Sequence, residues 1–322
     1  MTIVFVTGGS GYVGRNLIRA LVARGEEVRA LARSEASRAV VAKLGATPVA
    51  GDLDDVAVMT EAMRGATVVF HAAAQVEQHG PRALFERVTV RGTEHVLAAA
   101  KAAGVTRVVH VGTEAVLADG AAIVQADETR PRTTRPAGPY PWSKGLAEAR
   151  VLTANGDGLE TVVIRPRFIW GRDDTSVLPQ MIAAVKAGRF GWIGGGRYPT
   201  STCHVDNVIE GALLAAEKGR PGEIYFLTDG APTELRGFVT AMLETQGVDA
   251  GTREVPRWVA RLGAWLTGWR ARPLITKAEI GLFGVEVTVH DRKARRELGY
   301  QGAMTIERGL AEMTAAGPIA RA

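Results

Sequence analysis

An apolar run, Ile3–Val6, leads without interruption into Thr7-Gly-Gly-Ser-Gly-Tyr-Val-Gly14 and then into a helical pattern over Val13–Arg24. This strand-turn-helix junction constrains the chain more than any other stretch. Gly8, Gly11 and Gly14 fall where a tight turn, a close approach of phosphate and helix-on-strand packing leave no room for a side chain. The helix then points its free N–H groups and the positive end of its dipole at an anion. Ser10, Tyr12 and Val13 lie among the glycines and join them as candidates to hold a dinucleotide.

The junction opens a regular alternation. Short apolar runs at Ile3–Val6, Val28–Leu31, Thr47–Ala50, Val68–Phe70, Val108–Val111 and Thr161–Ile164 have the β-branched content of buried strands. Helical periodicity covers Val13–Arg24, Val56–Arg64, Ala83–Ala103 and Tyr140–Ala154. Such alternation predicts an α/β fold: a doubly wound parallel sheet with helices on both faces and right-handed crossovers. After Pro166 the rhythm becomes mostly helical, over 178–187, 205–218, 235–245, 258–267 and 306–313, with one strand-like run at Glu223–Leu227. The expected organisation is a cofactor domain over residues 1–165 and a substrate lobe over 166–322 that returns elements to the sheet. A ligand cleft is expected between them.

Of the 322 residues, 46% are hydrophobic and 23% charged, a composition that supports a substantial core. Cys203 is the sole cysteine, which excludes an intramolecular disulfide. With no charged leader before Ile3 and no membrane-spanning apolar run, a cytoplasmic setting without an integral membrane segment is expected. The net charge of +5 is concentrated in residues 251–300, which hold ten Lys or Arg against five Asp or Glu. No nucleic-acid motif accompanies it, so a solvated basic face is preferred to a nucleic-acid partner. Cys203, His204 and Asp206 lack a suitably spaced third ligand or an activating helix N-terminus. They are read as structural, with no metal.

Beyond the second strand the chain reads Arg29-Ala-Leu-Ala-Arg-Ser34, without the acid that binds an adenosine ribose 2′-hydroxyl. Arg33 can instead pair with a 2′-phosphate, which favours NADP(H) over NAD(H); an ordinary surface arginine is the alternative. Asp52 and Leu53 follow the third strand at an adenine-contacting position, although Asp52 also suits a helix cap. Ala72, Ala73 and Ala74 follow the fourth, leaving room for cofactor backbone or tight packing. Each candidate falls just past the carboxyl end of a strand, where ligands of open α/β sheets bind.

Tyr140-Pro-Trp-Ser-Lys144 places a phenol and an ammonium four residues apart, on one helix face. A nearby ammonium stabilises a phenolate, so the pair suits proton transfer. Together with Thr113 after the fifth strand and Arg165-Pro-Arg-Phe-Ile-Trp-Gly171, these motifs resemble the extended short-chain dehydrogenase/reductase family over most of the chain. The resemblance implies that Tyr140 exchanges a proton with the reacting oxygen, while Lys144 holds the nicotinamide ribose and lowers the tyrosine pKa. It further implies that Thr113 orients and polarises that oxygen, that Pro166 joins the cofactor contacts and that dimerisation uses helices of the cofactor domain. The chain departs from the family at Thr89-Val-Arg-Gly-Thr93, where relatives commonly carry asparagine first.

Arg165-Pro-Arg-Phe168 lacks the asparagine with which nucleotide-sugar enzymes of this family bind a diphosphate. The pattern is more similar to the branch holding 3β-hydroxysteroid dehydrogenases, sterol dehydrogenases and 2-alkyl-3-ketoalkanoate reductases. A hydrophobic ketone or secondary alcohol is therefore the expected substrate. Its candidate pocket residues are Val76, Glu114, Trp142, Arg167, Trp170, Phe190 and Trp192, with Tyr198 nearby. A nucleotide-sugar epimerase or dehydratase is the enzymatic alternative, and a non-catalytic NADP-sensing protein the alternative of another class. The tryptophan- and arginine-bearing stretch 255–272 is open to three readings: a packed helix, which is preferred, a lid, or a peripheral membrane contact.

Overall fold

A computed structural model describes residues 2–77, 80–267 and 275–318. Seven parallel strands form the central sheet. Six of them are β1 (Ile3–Thr7), β2 (Glu27–Ala32), β3 (Thr47–Ala50), β4 (Ala66–His71), β5 (Arg107–Val111) and β7 (Glu160–Pro166), while β6 (Ile123–Ala126) lies outside the sheet. The seventh is Ile224–Leu227, which pairs with β7, so the order runs Ile224–Leu227, β7, β5, β4, β1, β2, β3. The chain reverses direction across the sheet between β1 and β4, and that crevice is where an open α/β sheet accepts a ligand.

Strand alternation divides the core between the two faces. Val4 and Val6 of β1 pack with Leu17 and Ile18 of the helix Tyr12–Ala23, whereas Phe5 packs with Met59, Val69 and Val96 on the opposite face. A second apolar core joins Phe168, Trp170 and Leu178 to Leu235, Phe238 and Met242. Between the two halves, β6 pairs with Val287–Val289 in a four-stranded sheet that also holds Pro199–Thr200 and Thr233–Glu234. These short strands carry no periodic signal of their own.

The helix expected over Ala83–Ala103 is divided. A short turn, Arg82–Phe85, leads into a π-helical segment, Glu86–Arg91, before the α-helix Gly92–Ala103. Local hydroxyl chemistry accompanies the break. Thr93 donates to the Thr89 carbonyl at 2.6 Å, and the Thr89 hydroxyl accepts from the Gln75 backbone N–H at 3.0 Å. Thr89 thus holds the loop that follows β4. A helix at Glu35–Lys43, capped reciprocally by Ser34 and Ser37, was not anticipated from the apolar pattern because only Val41 is buried.

Candidate active site

The glycine turn is shaped by close contact. Gly8 has φ +73°, and a Cβ there would lie 2.7 Å from the Ala73 nitrogen. A Cβ on Gly14 would lie 2.1 Å from the Gly8 carbonyl oxygen. Gly11 caps the helix Tyr12–Ala23 without any side-chain bond to its first N–H groups, leaving those donors open to a ligand. This cradle fits a dinucleotide pyrophosphate.

From the cradle a single cavity of about 930 Å³ runs across the carboxyl ends of the strands into the second half of the chain. Its first end is lined by Gly8, Ser10, Gly11, Tyr12, Val13 and Gly14, then by Arg33, Asp52, Leu53 and Ala72 to Ala74. Thr113, Glu114, Tyr140, Pro166 and Arg167 stand at its middle. Val76 also lines the cavity, and Phe190 and Trp192 line it together with the helices Val177–Lys186, Leu235–Glu244 and Lys277–Phe283.

Three anticipated residues do not line it. Trp142 is stacked under the Arg82 guanidinium at 3.9 Å. Two residues past Tyr140 it is turned by about 200° around the helix and faces away. Trp170 is fully buried, donating to Asp229 at 2.7 Å and packing edge-on against His204 and Phe238. Strand alternation points Ile169 into the cavity and Trp170 to the other side. Lys144 lies just behind the wall, its Nζ donating to the Val111 carbonyl at 2.7 Å and standing 3.4 Å from His110 Nε2.

At the centre, Tyr140 begins the helix Pro139–Thr153, whose Pro139 occupies a first-turn position where the missing N–H costs nothing. Burial, reinforced by the Glu114 carboxylate, pushes the Tyr140 phenol up to about 12; a hydrogen bond with Thr113 acts the other way. In this structure the Lys144 ammonium is engaged with the Val111 carbonyl. Burial brings Lys144 itself down to about 8.

The Thr113 hydroxyl donates to Glu114 Oε2, and Glu114 Oε1 accepts from Arg167, which also donates to Thr200 and the Leu282 carbonyl. An ion pair, 3–4% exposed, therefore forms part of an otherwise largely apolar chamber. Thr113 must exchange Glu114 for a substrate oxygen before it can polarise one. Below these groups His71 bridges Thr7 and Thr93 at 2.7 and 2.8 Å, and burial with the Lys144 charge lowers it to about 3.

Sequence reasoning missed Ser34 and Ser37, which line the cavity beside Arg33. Their reciprocal cap, a serine pair three apart, was the available signal. Phe168 was noticed only as a missing amide. It sits at φ +43° on the cavity wall, its ring edge-on to Phe238 and Phe283. Away from the cavity, His204, Asp206 and Glu312 offer ligand atoms within 4.8 Å of one another. The Arg172 guanidinium already pairs with both carboxylates, supplying their counter-charge.

Residues 5–257 match the model of the 3-beta hydroxysteroid dehydrogenase/isomerase family. The chain belongs to that family. Among relatives of this 3-beta hydroxysteroid dehydrogenase-like protein, the 4-hydroxy-2-methyl-3-oxo-4-farnesyl-3,4-dihydroquinoline-1-oxide ketoreductase of Stigmatella aurantiaca is 54% identical over 98% of this chain and 96% of the relative. The 2-alkyl-3-oxoalkanoate reductase of Stenotrophomonas maltophilia is 32% identical over 97% and 98%. A Streptomyces venezuelae dTDP-glucose 4,6-dehydratase crystallised with NAD superposes with a TM-score of 0.76 at 25% identity, covering 97% of this chain and 95% of that one. The family member described here is thus an extended short-chain dehydrogenase/reductase, an oxidoreductase of ketone/alcohol pairs that uses a nicotinamide cofactor.

Proposed function

We propose that the protein is an NADPH-dependent ketoreductase converting a hydrophobic ketone to its secondary alcohol, with Tyr140 as proton donor. The observation that carries this is the Tyr140 phenol, held protonated far above neutral pH in the cavity that joins the glycine cradle to an apolar chamber. A phenol in that state is a donor, which suits reduction.

The nicotinamide, when bound, supplies the hydride. The chain does the rest. Tyr140 delivers a proton to the developing alkoxide, and Thr113, released from Glu114, donates a second hydrogen bond to the same oxygen. Lys144 keeps one N–H on Val111 and offers its remaining donors to ribose hydroxyls. Arg33, exposed at the cavity mouth and without an ion pair among the described residues, holds a 2′-phosphate together with the Ser34 and Ser37 hydroxyls. We assign residues 1–165 to cofactor binding and 166–322 chiefly to the substrate.

Phe168 supports the apolar substrate. Its ring, fixed against Phe238 and Phe283, presents an apolar wall where a nucleotide diphosphate needs hydrogen-bond donors. The substrate for which the Stigmatella aurantiaca relative is named, a farnesylated quinoline ketone, is of the same apolar kind. A cofactor-oxidation screen with steroidal, aliphatic β-keto and aromatic ketones tests the proposal. NADPH consumption with members of that panel is expected. No turnover, coupled with thermal stabilisation by UDP or dTDP, would assign the site to nucleotide-sugar chemistry instead.

A further inference from the structure

The helix Arg257–Thr267 is turned inside out relative to an ordinary surface helix. Trp258 is 68% exposed, Trp265 72% and Leu262 46%, with Val259 and Leu266 beside them. At about 100° per residue these five side chains share an arc of about 120°. The opposite arc carries Ala260, Gly263 and Ala264, and Ala260 and Ala264 pack on Ile280 with Ile193 and Ile275 alongside. Small residues thus seat the helix on the protein, and the large apolar ones face outward. Helices that bury their apolar face within one chain show the reverse arrangement.

Charge identifies what covers this face. No Asp or Glu occurs between Glu254 and Glu279, while Arg257, Arg261 and Lys277 lie within that interval. Arg257 anchors the helix start, donating to the Gly284 carbonyl at 2.8 Å and lying over the Tyr198 ring. Arg261 flanks the apolar arc, exposed and without a hydrogen bond or ion pair among the described residues. Glu254, at the preceding edge, is neutralised by Arg236. Two exposed tryptophans bordered by unopposed cations match the interface of an anionic bilayer, where indole rings settle at headgroup depth. Ile193 and Ile275, beneath the helix, also line the cavity, so the face stands one layer of side chains from the chamber.

We propose that the outward face of Arg257–Thr267 docks the protein peripherally on an anionic lipid surface. The docking does not depend on the ketone chemistry and is read without turnover. Full-length protein is floated at low salt with vesicles of phosphatidylcholine alone and of equal parts phosphatidylcholine and phosphatidylglycerol. The wild type is expected to float with the mixed vesicles and to be released by high salt. Trp258→Ser combined with Trp265→Ser should lower binding by about tenfold or more. Arg261→Glu should lower it by about fivefold or more. Both variants should keep the wild-type unfolding midpoint, because the altered side chains are exposed. A wild type that stays with the unbound fraction, or a double serine variant that floats equally well, overturns the proposal. A wild-type dimer that does not float and becomes monomeric in the double variant also overturns it, giving the face to a second copy of the chain.

Discussion

Thr113 donates its only hydroxyl proton to Glu114 across 2.9 Å, so the residue beside the Tyr140 phenol is tied to a buried carboxylate. The other oxygen of that carboxylate meets Arg167 at 3.0 Å. This arrangement leaves a negative charge next to Tyr140 and helps keep the phenol protonated. The proposed reduction would draw on that proton.

Replacing Glu114 with Gln should bring the Tyr140 pKa down from about 12, because loss of a neighbouring negative charge eases formation of the phenolate. Ultraviolet titration of phenolate, with Tyr140→Phe as the reference, reads the shift directly. An unchanged titration would remove Glu114 from the electrostatics of the site. Glu114→Ala is the harsher change: it leaves Arg167 buried and unpaired and should destabilise the fold by about 3–5 kcal/mol in urea unfolding.

Arg33→Ala should raise the Michaelis constant for NADPH by about tenfold or more and leave that for NADH nearly unchanged, since only the former carries the phosphate. Equal effects on both cofactors would mean that Arg33 does not read the 2′-phosphate. Ser34→Ala should act in the same direction and more weakly, with some loss of helix stability because Ser34 also caps Glu35–Lys43.

His71 gives the protein a defined acid sensitivity. Its folded value of about 3 lies below the ordinary 6.5, so between those pH values the unfolded chain binds the proton and the folded one does not. The stability His71 contributes is complete above pH 6.5 and is lost as pH falls toward 3. The slope is about 1.4 kcal/mol per pH unit for one such group. Urea unfolding from pH 6 downward should therefore be shallower in pH for His71→Gln than for the wild type by about that amount. Identical slopes would show that His71 protonates freely in the folded state.

The sheet was legible because the parallel strands are apolar runs, five of the seven ended by glycine, histidine or proline, and the cofactor end because the candidate ligand contacts follow the strand ends. β1, β3 and β5 lie within a residue of their expected bounds. The far wall was less legible. Phe168, Phe238 and Phe283 are separated in the chain and meet only through tertiary packing, with no shared period to announce them. Trp142 and Trp170 were misplaced because an aromatic side chain signals burial without direction; helix phase and strand parity then turned both away from the cavity. The charge on Lys144 was anticipated, but its tie to Val111 depends on where the β5 backbone passes. Residue type does not encode that. Residues 268–272 of the 255–272 stretch, Trp269 among them, lie outside the described residues.

Proton transfer by Tyr140 is tested by one comparison: NADPH affinity and ketone-dependent NADPH oxidation measured side by side for the wild type and Tyr140→Phe. The phenylalanine variant should bind NADPH as the wild type does and lose about 10²–10⁴-fold in turnover. A variant that binds the cofactor and turns over at the wild-type rate would contradict the mechanism.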